Sequence, residues 1–112
     1  MDLGQNYLAL AVKDIAASFE FYQKLGFQAV PDCGGIEEKW LILKNGDTKL
    51  GLFQDMFPAN VITFNPPDVR GIQKSLKTEG IQIDNECDET TTGPAYIMLK
   101  DPDGNQILMD QH

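Results

Sequence analysis

Apolar residues alternate with small or polar ones from the start of the chain. Tyr7-Leu8-Ala9-Leu10-Ala11-Val12 has the pattern of a β-strand. Asp14 then stands where a helix N-cap belongs, and Ile15, Phe19, Tyr22 and Leu25 follow at helical spacing. Gly26 ends that helix in the position a left-handed cap prefers. Phe27-Gln28-Ala29-Val30 is a second expected strand, followed by a glycine-rich loop. Trp40-Leu41-Ile42-Leu43-Lys44 and Lys49-Leu50-Gly51-Leu52-Phe53-Gln54 flank Asn45-Gly46, a strong hairpin signal because both turn residues tolerate positive φ.

The second half repeats the order. Val61-Ile62-Thr63-Phe64-Asn65 has the pattern of a strand, and Asp68 that of a helix cap; Val69, Ile72 and Leu76 form the apolar stripe, and Gly80 is the stop. Ile81-Gln82-Ile83, Ala95-Tyr96-Ile97-Met98-Leu99-Lys100 and Gln106-Ile107-Leu108-Met109-Asp110 are the expected remaining strands, the last two joined by a turn around Pro102-Asp103-Gly104. Asp14 and Asp68, Gly26 and Gly80, and Cys33 and Cys87 are each 54 positions apart. A repeat of cap, stop and strand at one offset points to two copies of a supersecondary unit. The expected fold class is therefore α+β. Two βαβββ modules in tandem, about residues 1–56 and 57–112, would form a cupped, partly open mixed sheet with the helices on the convex side. A plain α+β sandwich without a cleft is the alternative.

A length of 112 residues suits one domain, and 42% hydrophobic residues suffice for a core. The net charge of −8 and the lack of any basic stripe argue against nucleic acid as a partner. No apolar run is long enough for a membrane span, and the N-terminus lacks the pattern of a secretory signal. A cytoplasmic setting with Cys33 and Cys87 as reduced thiols is expected. The single histidine, His112, excludes a His-rich metal site within one chain and is expected in a solvated tail.

The segments LALAVKDIAASFEFYQKLGF, GLFQ and DPDGNQI, joined to the duplicated order, resemble the vicinal oxygen chelate superfamily of glyoxalase I, bleomycin resistance proteins and extradiol dioxygenases. That resemblance covers nearly the whole chain. It implies a divalent ion held by one ligand from the first and one from the last strand of each module, stabilising an enolate or similar anion. The ligand positions it implies fall on Tyr7, Gly51, Val61 and Leu108. Glycine, valine and leucine have no side-chain donor, and tyrosine ligates mainly as a phenolate. Further along the same strands, Gln54 and Asp110 are the alternative donors. No metal and no other cofactor is expected: the divalent site of the family is lost.

Strand alternation predicts instead an apolar cleft with a few polar tips. Tyr7, Ala9, Trp40, Gly51, Phe53, Val61, Thr63, Tyr96, Leu108 and Asp110 are the expected ligand-binding residues. The small Ala9 and Gly51 would leave room, and Trp40 and Phe53 would stack on a planar ligand. Asp110, desolvated in such a cleft, and Tyr7, as a hydrogen-bond donor, are the candidate catalytic pair. The first expectation is binding of a small apolar or aromatic molecule. The alternatives are a lyase, isomerase or dioxygenase of the glyoxalase type, metal-dependent or using Asp110 and Tyr7, and an interaction module using Met56 and Phe57 in the linker. A homodimer is expected by analogy with the family.

Overall fold

The computed structural model describes residues 1–112. Its order is β1 (Gln5–Val12), α1 (Ile15–Lys24), β2 (Gln28–Gly35), β3 (Trp40–Asn45), β4 (Thr48–Gln54), β5 (Val61–Asn65), α2 (Val69–Thr78), β6 (Ala95–Lys100) and β7 (Gln106–Gln111). The fold class is α+β, with strand pairs of both directions. The chain divides into two compact units, Tyr7–Val61 and Met1–Asn6 with Ile62–His112. No helix is long and apolar enough to cross a membrane.

In the unit Tyr7–Val61 the strands run in the order β2-β3-β4-β1. β1 pairs parallel with β4, Ala9 opposite Gly51 and Ala11 opposite Phe53. β3 and β4 form an antiparallel hairpin whose last pair is Asn45 with Thr48. The turn residues are thus Gly46 and Asp47, one place later than the Asn-Gly signal suggests. Asn45 closes the ladder and donates its side-chain amide to the Leu25 carbonyl at 3.2 Å. Asp14 caps α1, its carboxylate accepting from the Ala17 amide at 3.2 Å. Ile15, Phe19 and Tyr22 pack with Leu10, Val12 and Phe27 on Leu41, Leu43 and Leu52. Leu43 and Leu52 are fully buried, each contributing about 2 kcal/mol of transfer free energy. Leu25, expected in this stripe, is instead the C-cap and stands 56% exposed. Gly26 follows at φ 96°, the left-handed turn that the sequence demanded.

The other unit orders its strands β5-β7-β6. Its core is Val69, Ile72 and Leu76 of α2 against Ile97, Leu99 and Met109, with Leu3 and Phe64 at the margin. Asp68 caps α2 through the Gly71 amide at 3.0 Å. The DPDGN turn is a clamp around Asp101. Its carboxylate accepts from the amides of Asp103 at 3.0 Å and Asn105 at 2.8 Å, and from the Asn105 side chain at 2.7 Å. Those bonds to Asn105 hold its pKa below the ordinary value.

One expected strand does not form. Residues 81–83 make no ladder; β6 is reached just beyond them, by the isolated bridge of Asn85 to Met98 and by the Asp84 amide, which donates to the Met98 carbonyl at 2.9 Å. The segment that follows is tied to α2 by side chains. Gln73 is 1% exposed; its amide donates to the Cys87 carbonyl at 3.0 Å and to Glu89 at 2.6 Å, and its oxygen accepts from the Cys87 amide at 2.8 Å. Arg70 donates to the carbonyls of Asp88 at 3.2 Å and Gly93 at 2.9 Å and to the Thr91 hydroxyl at 2.7 Å. Fifty-four positions earlier the corresponding residues are Ala16 and Phe19, which offer no such donors. In that copy the chain pairs as β2 with β3 instead.

Candidate functional site

In each unit, strand alternation sends one set of side chains to the helix and the other set away from it. In Tyr7–Val61 the face away from α1 carries Tyr7, Ala9 and Ala11 of β1, Gly51 and Phe53 of β4, and Trp40 and Ile42 of β3. Trp40 is paired with Phe53 across the hairpin, so the two rings meet: their centroids lie 6.3 Å apart with planes 11° from parallel. Phe57 then packs edge-on against Phe53, at 5.3 Å and 66°. This is an aromatic wall built from β3, β4 and the chain segment after β4.

Gly51 has a different role from the one expected of it. A Cβ there would lie 2.5 Å from the Phe53 ring and 2.8 Å from the Tyr7 ring. The space over this glycine holds those two rings, so its small size serves aromatic packing rather than ligand volume. Ala9 is fully buried as well. Tyr7, Trp40 and Phe53 are half-buried and supply the accessible part of the wall.

In the other unit the face away from α2 carries Thr63 of β5, Leu108 and Asp110 of β7, and Tyr96 and Met98 of β6. Tyr96 stands directly opposite Asp110 and is 49% exposed. Asp110 is half-buried; desolvation raises its pKa above the ordinary value, with His112 opposing the shift. Asn65 donates to the Asp110 carbonyl at 3.0 Å, and its amide meets the His112 ring nitrogen at 3.1 Å. His112 is therefore exposed but engaged, not a free tail. Thr63 is fully buried and its hydroxyl has no hydrogen-bond partner, a state that costs about 1–3 kcal/mol. At the corresponding position 54 residues earlier stands Ala9, so the fold itself does not require a hydroxyl there. Val61 is also buried.

Phe57 stood out in the sequence only as an apolar linker residue that could cap a cleft or meet a subunit; its partner Phe53 was not legible, because a linker shows no periodicity. Sequence patterning also missed the roles of Arg70 and Gln73. Polar residues at otherwise apolar helix positions were the only signal for those two.

A profile of the glyoxalase/bleomycin resistance protein/dioxygenase superfamily matches residues 4–109. The chain belongs to this superfamily. Solved structures agree at the level of the fold. A superfamily member from Vibrio splendidus 12B01 is 16% identical with a TM-score of 0.71, over 96% of this chain and 98% of that one. A hypothetical protein from Bacillus halodurans C-125 is 16% identical with a TM-score of 0.72, over 96% and 95% of the two chains. Methylmalonyl-CoA epimerase from Mycobacterium tuberculosis is 14% identical with a TM-score of 0.74, over 98% and 88%. A search of curated proteins returned no match.

The divalent ion of the superfamily's metal enzymes does not fit the residues at the corresponding positions. Gly51 cannot gain a ligating side chain without displacing the Phe53 and Tyr7 rings. Val61 and Leu108 have no donor atoms. Nor do three or more His, Cys, Asp or Glu side chains gather anywhere in a metal-holding group.

Proposed function

We propose that this chain is a small-molecule-binding member of the superfamily that takes an apolar or aromatic compound without a metal ion. The observation that carries this reading is the stacked Trp40–Phe53 pair on the sheet face away from α1. Such rings contribute area and a preference for planar partners, at about 0.5–1.5 kcal/mol per pair beyond burial. The free thiols of Cys33 and Cys87 accord with a reducing, cytoplasmic setting, and a homodimer is the assembly we expect.

Trp40 is the only tryptophan, so its emission reports on the wall directly. Titration with p-nitrophenol, a planar compound that quenches indole emission by energy transfer, is expected to saturate. Exhaustive dialysis against a chelator should leave that curve unchanged. A strictly linear, non-saturating response would rule out binding of this compound class at the wall, and dependence on an added divalent ion would restore metal to the site.

A second reading, a metal-free lyase or isomerase, is favoured by the raised pKa of Asp110. Acting as a general base, Asp110 must be ionised, so the rate would rise with pH through its elevated folded-state pKa and level off above it. Asp110→Asn would then lower turnover at least about 100-fold. Unchanged turnover in that variant, on any substrate found, removes this reading.

A further inference from the structure

The segment from Gln54 to Asn60 is anchored at both ends to the same unit. The Gln54 side chain accepts from the Ile15 amide at 3.0 Å, at the start of α1. The Asn60 side chain accepts from the Ala11 amide at 2.9 Å, on β1. Between these anchors the strap touches the wall through one ring, Phe57, edge-on to Phe53. Met56 beside it is 48% exposed.

The start of the strap is conformationally unusual. Asp55 stands at φ 62° and Lys39 at φ 66°, the left-handed region that non-glycine side chains adopt at a cost. These two residues lie immediately beside the wall: Lys39 precedes Trp40, and Asp55 follows Phe53 by two positions. They form an ion pair at 3.6 Å, with both side chains more than half exposed. The Gln54 amide donates to the Lys39 carbonyl at 2.8 Å, closing the end of the ribbon. Between its two hydrogen-bonded ends the strap is held down by an aromatic contact and a screened ion pair, while left-handed backbone at Asp55 works against it. Opposed small terms of this kind make a two-state element.

We propose that Phe57 is a movable wall of the ligand site, carried by a strap that hinges at Asp55. In the empty protein Phe57 lies edge-on against Phe53, the ring on which Trp40 stacks, and the strap swings out to admit a planar ligand. This rests on the ligand-binding reading above, but the movement itself can be measured without a ligand.

Collisional quenching of Trp40 by acrylamide reads the cover through Phe53, the ring stacked on it. Phe57→Ala is expected to raise the quenching constant at least twofold over the wild type. Raising the salt concentration toward 1 M screens the Lys39–Asp55 pair and is expected to raise the wild-type constant as well. In Asp55→Asn, which lacks the ion pair, that salt response should be absent. With p-nitrophenol in a stopped-flow instrument, Phe57→Ala should associate several-fold faster. A quenching constant in Phe57→Ala equal to the wild-type value overturns the proposal, as does a salt response that persists in Asp55→Asn. Greater acrylamide access in Phe57→Ala with no p-nitrophenol binding to either protein would support the moving strap and discard the ligand reading.

Discussion

Gly34→Ala is expected to destabilise the protein by about 3 kcal/mol and to shift the emission of Trp40. Gly34 stands at φ 88°, where an L side chain is strained by about 1–2 kcal/mol even in open space. The space here is closed. A Cβ would lie 2.2 Å from the Trp40 carbonyl oxygen and 2.9 Å from its indole ring. Backbone cannot swing aside as a flexible side chain can, so β2 or β3 has to move. β2 and β3 are already out of simple register between Ala29 and Gly34, and the methyl would press on that irregularity. Thermal melts should show a loss of about 10 °C for a chain of this size, with Trp40 emission altered in the folded baseline. A melting temperature within about 1 °C of wild type would mean that the two strands are not packed at Gly34 as described.

Gln73→Ala is the second large effect, again about 3 kcal/mol. The side chain is almost wholly buried and makes three hydrogen bonds, two to the Cys87 backbone and one to Glu89. Alanine leaves the Cys87 amide and carbonyl without their partner. Each such group costs about 1–3 kcal/mol where water cannot replace the bond. The bond from Gln73 is the first cause holding the Glu89 pKa below its ordinary value of 4.5. A depressed carboxyl stabilises the fold above its unfolded pKa, and that contribution fades as pH falls through the folded value. The gap between wild type and Gln73→Ala should therefore narrow below about pH 4.5 without closing, since the Cys87 bonds do not titrate. Denaturant melts at several pH values check this. A gap that widens in acid would remove the role given to Glu89. Hydrogen exchange should also rise selectively across residues 84–93, the segment that Gln73 and Arg70 hold.

Much of the architecture was legible because it rests on short-range rules. Asp14 and Asp68 cap their helices through the expected amides, and Gly26 and Gly80 stand at positive φ just past the ends. A capping carboxylate and a left-handed glycine act within one turn of helix, so their positions in the chain suffice to place them. The facing of Leu10 and Val12 against α1 followed from period-two alternation in the same way. The shift of the hairpin turn by one residue was not legible. Asn45 is drawn into the ladder by Thr48 and into a bond with Leu25, twenty residues away.

The strand expected at residues 81–83 shows where duplication stops being a guide. Its sequence is as strand-like as its counterpart, but α2 carries Arg70 and Gln73 where α1 carries Ala16 and Phe19. Those side chains bond the Cys87 amide and the carbonyls of Cys87, Asp88 and Gly93 directly, partners that a ladder supplies in the other copy. Around the candidate site the residue types were legible and their use was not. Gly51 reads as space in the sequence, yet the Phe53 and Tyr7 rings occupy it.

By itself, the sequence determined the α+β class, the two helices with their caps, the duplicated order and the superfamily. These depend on patterns along the chain and on which atoms each side chain has. Only the tertiary structure decided that Trp40 stacks on Phe53, that Phe57 packs on Phe53 from the linker, that Thr63 is buried without a partner, and that Gln73 bonds the Cys87 backbone. Each of those depends on what lies across space from a residue, and neither alternation nor helical spacing carries that information.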